Sequence, residues 1–453
     1  MIKNSLKAGA LALMLTLGLG SCSDEFLEPE VTTEKDFASS VQTLQELTTV
    51  LNGAYDRMNS VFYYGRDLVI FGEVRSDNAF SNGASGRFIG PAQFFLTPND
   101  AYVRDTWTQI YEVIANANIV INAELETDEE AAVNHVKGQA YAIRALATMD
   151  LLRLYGQQFA GGSLGIPVVT EFRGEDITPQ RASVEETWAQ VEADLAAAEA
   201  NMLVELNSDV PYYITTWAVD ALQSRYYLYV GQPQMAAENA LEVIESGEFA
   251  LSETWAREGV GSAGVIFALA LSENDNLSSN SIQYIINATN YGDVEVLDDL
   301  YDAYEEDDIR QDWYTLYDKG VIRMTEKYAG AGDDIIIIRY AEVLLNYAEA
   351  LVKIGTPDAE AQALEIINQI AELRGATPYE AASLDNVLEE RRKELAFEGH
   401  RYFDLLRNGR AIPFVSEEQA FTEDIPFGSS SLAFPIPESE IDANPNIEQN
   451  ADY

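Results

Sequence analysis

Three segments of this 453-residue chain end in the same way, and that shared ending restricts the fold more than any other feature. Each is rich in Ala, Leu and Tyr, with apolar residues three and four apart, and each stops on a glycine: Gly156, Gly231 and Gly355. The spacing builds one buried helical face. A glycine just past the last turn lets the chain leave a helix through the left-handed conformation. After Gly231 and Gly355 a short polar turn holds Pro233 or Pro357, and a second helix follows, carrying "ALEVI" or "ALEII".

Such a helix–turn–helix unit, with small residues at the crossing, resembles a tetratricopeptide repeat, and the irregular register makes the repeats divergent. Further helical patterns run through "SVQTLQELTTVLNGAYDRM", where Ser40 is the candidate cap, "TWTQIYEVIANANIVINAEL" and "SVEETWAQVEADLAAAEANM". The expected fold is mostly α, with repeats as a scaffold at about residues 40–250 and 336–410. Residues 251–335 and 73–102 break the pattern with Gly, Ser and Asn and short apolar runs, and read as loops and short strands on that scaffold. Loops held by a rigid frame are where binding residues concentrate. Trp107, Trp188 and Trp217, at helical spacing, are expected in the core.

The N-terminus reads as an address. Lys3 and Lys7 precede the apolar run Ala8 to Gly20, which is shorter than the roughly 20 residues a membrane span needs. A basic start, an apolar core and small residues before a cut describe a secretory signal, residues 1–21. The cut falls before Cys22, the sole cysteine, and "LGSC" resembles a lipobox in which that residue becomes an acylated N-terminus. Residues 22–39 then form a tether, and "SDE" resembles the acidic export tag of surface lipoproteins in Bacteroidetes. The expected location is the outer membrane, exposed at the cell surface.

One cysteine makes no intramolecular disulfide and two histidines leave little for zinc, so neither a metal nor a cofactor is expected. The formal net charge of -47 excludes nucleic acid as a partner, since phosphate neutralisation needs Lys and Arg. High acid content with 8 Lys suggests adaptation to salt. No catalytic constellation emerges. The acids Glu305 to Asp308 lack the defined separation glycoside hydrolysis requires. "GGSLG" lacks a phosphate-loop lysine, and "DNAFSNGAS" lacks the acidic twelfth ligand of a calcium loop. In "LEERRKELAFEGHRYFDLLRNG" the charges Arg391, Arg392, Glu394, Glu398, Arg401, Asp404 and Arg407 share one helical stretch around His400 and read as a structural ion-pair network.

Binding a small polar ligand by stacking and hydrogen bonds asks for an aromatic ring with Asn, Asp and Arg beside it. Both irregular regions supply this mixture. The first holds Arg75, Asp77, Asn78, Phe80, Arg87 and Asn99. The second holds Tyr291, Tyr301, Tyr304, Trp313, Tyr314 and Tyr317, with Trp313 or Tyr291 as the stacking platform. Arg339 opens a helix that reaches the site from its N-terminal end.

Six ordered segments resemble the SusD/RagB family of glycan-binding outer-membrane lipoproteins: "CSDEFLEPE", "AYAIRALATMDLLRLYG" through "GIPVVTE", "RASVEETWAQVEADLAAA", "RYAEVLLNYAEAL", "ERRKELAFEGHRYFDLLR" and "FPIPESEIDANPNIEQNADY". Family members commonly end in Gln-Asn-Pro-Gly-Tyr, where this chain has "QNADY". The resemblance implies a single SusD-like domain over residues 40–453. It also implies an oligosaccharide or polysaccharide ligand, no enzymatic activity, and a SusC-like TonB-dependent transporter as partner, over which the lipoprotein sits as a lid. The alternatives are a non-catalytic interaction scaffold of an outer-membrane complex and uptake of a non-glycan nutrient.

Overall fold

The computed structural model describes residues 41–172, 178–253, 262–287 and 290–453; Cys22, Ser40 and the whole signal and tether lie outside these. The frame is a series of helices, each packed on the next: α1 (Leu44–Met58), α3 (Ala101–Asn122), α4 (Glu130–Tyr155), α5 (Val184–Asn201), α6 (Thr216–Tyr229) and α7 (Pro233–Ser246). A shorter helix, α2 (Asp67–Val74), is buried beside them. Local chemistry sets the ends. Thr43 and Ser183 each form a reciprocal capping box, with Glu46 and Glu186. Pro233 occupies the first turn of α7.

The expected pairs are present. The helix α7 packs on α6 and also on α8 (Tyr340–Ile354), although residues 247–339 intervene, and α8 packs on α9 (Pro357–Leu373) and α10 (Leu384–Glu394). Gly231 and Gly355 end their helices at φ +70° and +71°. Gly156 does not: α4 ends there in extended backbone, at φ −75° and ψ 156°, and a Cβ at this position would meet the Leu152 side chain at 2.5 Å. The fold is mostly helical and tetratricopeptide-like.

The intervening residues carry short antiparallel strands. β1 (Ala79–Ser81) pairs with β3 (Val294–Val296), β2 (Val265–Leu269) with β6 (Ile335–Arg339), and β4 (Tyr314–Leu316) with β5 (Ile322–Met324). The first ladder joins the two irregular regions of the sequence.

The charged C-terminal stretch is two helices where the pattern predicts one. Helix α10 ends at Glu394, the chain turns through Phe397 (φ +64°) and Gly399 (φ +80°), and α11 (Arg401–Arg407) begins. The turn is shaped by close approach: a Cβ on Gly72 would lie 2.4 Å from the Gly399 carbonyl oxygen. The ionic network forms around this break. Glu394, fully buried, accepts from Arg339 (2.8 Å), Arg374 (2.9 and 3.1 Å) and Arg310 (3.3 Å). Asp404 accepts from Arg391 (2.8 Å) and Arg407, and Arg407 also pairs with Glu349. His400 is held well below the usual imidazole range by burial and the nearby Arg391 and Arg225 guanidinium groups, and so stays neutral.

Candidate functional site

The β1–β3 ladder sets Ala79 opposite Val296 and Ser81 opposite Val294. It delivers a loop, residues 82–87, to the turn that precedes β3. Asn82 continues the register with its N–H on the Asp293 carbonyl (2.9 Å). The Asn82 amide donates to the Gly292 carbonyl (2.7 Å) and to Glu295 (2.7 Å), and Arg87 donates to the buried Asp293 carboxylate (3.1 Å). From the strand hairpin, Arg323 donates to the carbonyls of Gly292 (2.6 Å) and Val294 (2.7 Å) and to Glu295 (2.8 Å). Gly292 sits at φ +57°, and a Cβ there would crowd the Arg323 guanidinium at 3.2 Å. A glycine is therefore favoured on both counts.

This clamp presents Tyr291, whose side chain is 48% exposed. The Arg87 guanidinium lies 4.4 Å from its ring centroid, and the Tyr284 ring lies 6.0 Å away at a 58° tilt. The cation and the second ring fix the tyrosine at little entropic cost, leaving a pre-set aromatic surface beside an amide, a carboxylate and two guanidinium groups. Such an arrangement offers stacking and hydrogen bonding to neutral hydroxyls. Among the described residues no group of three or more His, Cys, Asp or Glu is placed to hold a metal ion.

Of the residues singled out in the sequence, Arg87 and Tyr291 come together on this face. The others are placed elsewhere. Arg75 is fully buried, donating to Pro91 O (3.2 Å), the Tyr402 hydroxyl (3.0 Å) and Ser431 O (2.9 Å), with its guanidinium 4.2 Å from the Phe94 ring. Asp77 is clamped by Arg401 through two 2.7 Å bonds, and Asn78 bridges Glu73 and Arg392. Phe80 is buried in β1. Trp313 is only 4% exposed and lies under the Lys327 ammonium at 4.4 Å, so its ring offers no platform to solvent. Tyr314 is buried against Tyr304, their hydroxyls 2.8 Å apart. Arg339 is bolted to Glu394 and Glu398. These corrections share one cause. Arginines and aromatics in an irregular stretch look available, but here they pair internally, where an unpaired charge is costly.

Phe95 and Trp217 depart from the pattern. Phe95 is 71% exposed because Phe94, at φ +54°, reverses the chain and turns inward itself. Trp107 and Trp188 are buried as expected, but Trp217 is half-buried and lines a cleft. Its position was the available signal: it is the second residue of α6, where side chains tilt beyond the helix N-terminus instead of into the stack.

Comparison with known proteins agrees with this architecture. Residues 205–453 match the SusD family, and residues 25–228 match a family described as "Starch-binding associating with outer membrane". The SusD-like protein P38 of Formosa agariphila is 24% identical, over 97% of this chain and 98% of its own. A SusD superfamily protein from Bacteroides vulgatus has a solved structure that superposes with a TM-score of 0.83 at 27% identity, covering 91% of this chain and 100% of the other. One from Bacteroides thetaiotaomicron gives 0.82 at 27%, covering 90% and 99%. With more than half its length matched by the family and the same helical frame, this chain belongs to the SusD family.

Proposed function

We propose that the protein is a non-catalytic, cell-surface lipoprotein that captures a glycan and delivers it to a SusC-like TonB-dependent transporter in the outer membrane. The observation that carries this reading is the Tyr291 face: an exposed ring, pre-oriented by Arg87, beside Asn82 and Glu295, on loops the helical frame holds in place. Stacking with a few hydrogen bonds to neutral hydroxyls gives moderate affinity, which suits a protein that must release what it captures. The starch-binding, outer-membrane description of one matching family supports the ligand class and the location. Cys22 in "LGSC" supports the lipid anchor. No helix among the described residues is long and apolar enough to cross a membrane, so attachment through an acylated cysteine is consistent with the chain.

Extraction in mild detergent from cells expressing the neighbouring transporter tests the partnership. The barrel is expected as a stable companion. Recovery of the lipoprotein alone, with the transporter present, contradicts it.

A further inference from the structure

A cleft among the described residues lies apart from the Tyr291 face. It has a volume of about 520 Å³ and lies where the loop before α6, the first turn of α6, the end of α7 and the start of β2 meet. We propose that this cleft is a second saccharide site, taking a short neutral oligosaccharide. The proposal rests on the reading of the protein as a glycan binder but draws on different residues.

Three features carry it. The first is aromatic. Trp217, half-buried, lines the cleft, and its indole N–H has no hydrogen-bond partner among the described residues. Phe249, a second lining ring, is held by stacking on Tyr340, their centroids 6.4 Å apart at 26°. The second is rigidity. The wall that faces these rings is tied to α6, since Asn207 accepts from the Thr216 N–H (3.0 Å) and donates to the Thr216 hydroxyl (2.9 Å). That wall is therefore held before any ligand arrives, which lowers the ordering cost of binding. The third is charge. Glu205, Asp209 and Glu248 line the cleft, all exposed, and there is no Lys or Arg among its described lining residues. Carboxylates are good acceptors for sugar hydroxyls, while a uronate or sulfated sugar meets like charge without a compensating cation. The volume falls within the range of roughly 300–1,000 Å³ typical of small-ligand pockets.

An array of immobilised oligosaccharides of two to six residues, neutral and anionic, identifies the probe, and calorimetry with the best neutral hit follows on the full-length protein. We expect the hit to bind a Tyr291→Ala variant still, and Trp217→Ala made in that variant to weaken the binding at least tenfold. Asp209→Ala, on an exposed loop, is expected to weaken it severalfold, and it carries the test if Trp217→Ala fails to fold by its melting curve. Anionic oligosaccharides are expected not to bind the Tyr291→Ala variant. The second site is overturned if the parent binds glycan and Tyr291→Ala does not. It is also overturned if residual binding ignores both cleft substitutions, or if an anionic sugar occupies the cleft. In each of these cases the glycan-binding reading stands. If the parent binds no glycan on the array, that reading falls with the site.

Discussion

Replacing Glu394 by Gln changes one oxygen to an amide and should test how the C-terminal part of the frame is held. The parent carboxylate is fully buried and accepts four hydrogen bonds from three guanidinium groups, those of Arg339, Arg374 and Arg310, at 2.8 to 3.3 Å. Gln preserves the volume, so no cavity forms. It removes the charge and turns an NH₂ donor towards cations that have only donors. Removing one partner of a buried ion pair costs about 3–5 kcal/mol, because the remaining charge is left uncompensated. Here Arg310 keeps Asp308 and Glu390, and Arg339 keeps Glu398, so the lower end of that range is expected. Against a total stability of about 5–15 kcal/mol this is a large loss. Urea unfolding at pH 7, followed by far-ultraviolet dichroism, reads it directly. The pH dependence has a definite sign. Three guanidinium groups hold Glu394 well below the ordinary carboxylate range despite its burial. Its contribution is therefore present in full above the unfolded-state value and is lost only as pH falls towards the depressed folded one. The gap between parent and variant should stay constant from pH 7 to about pH 5 and narrow below that. A difference under about 1 kcal/mol at pH 7, the scale of an exposed pair, would refute the reasoning.

Trp313→Ala should lower stability by about 3–5 kcal/mol through the cavity it leaves while leaving glycan affinity unchanged; paired urea and calorimetric measurements decide. Asp220→Asn should stabilise. Burial, with Glu199 and Glu242 nearby, raises the Asp220 carboxyl to about 7, so between the unfolded value and about pH 7 the folded state binds the extra proton and parent stability falls as pH rises. The variant should gain roughly 1–3 kcal/mol at pH 8 and little at pH 4, and an equal gain at both pH values would contradict the cause given. Cys22→Ala should move the protein from the outer-membrane fraction to the soluble one, as membrane fractionation would show.

The helical frame was legible because it is written in local signals. Caps such as Ser183 with Glu186, the proline opening α7 and the glycines after α6 and α8 act within a few residues of where they stand. The candidate face was half legible. Two irregular stretches separated by residues 103–250 were both read as binding loops, and the β1–β3 ladder does join them. Which of their side chains reach solvent was not legible, because burial depends on partners far away in sequence. Arg75 meets Tyr402 and Ser431, Asp77 meets Arg401, and Trp313 lies beneath Lys327. The break between α10 and α11 was hidden for the same reason: it depends on Gly399 meeting Gly72 across the fold.

The central claim is that glycan stacks on Tyr291. Calorimetric titration of the best array hit into Trp217→Ala protein, with and without Tyr291→Ala, isolates this face from the cleft at Trp217. Losing the ring should weaken binding by roughly 1–3 kcal/mol, with little dependence on salt and no change in melting temperature. Equal affinity in the two proteins would contradict it.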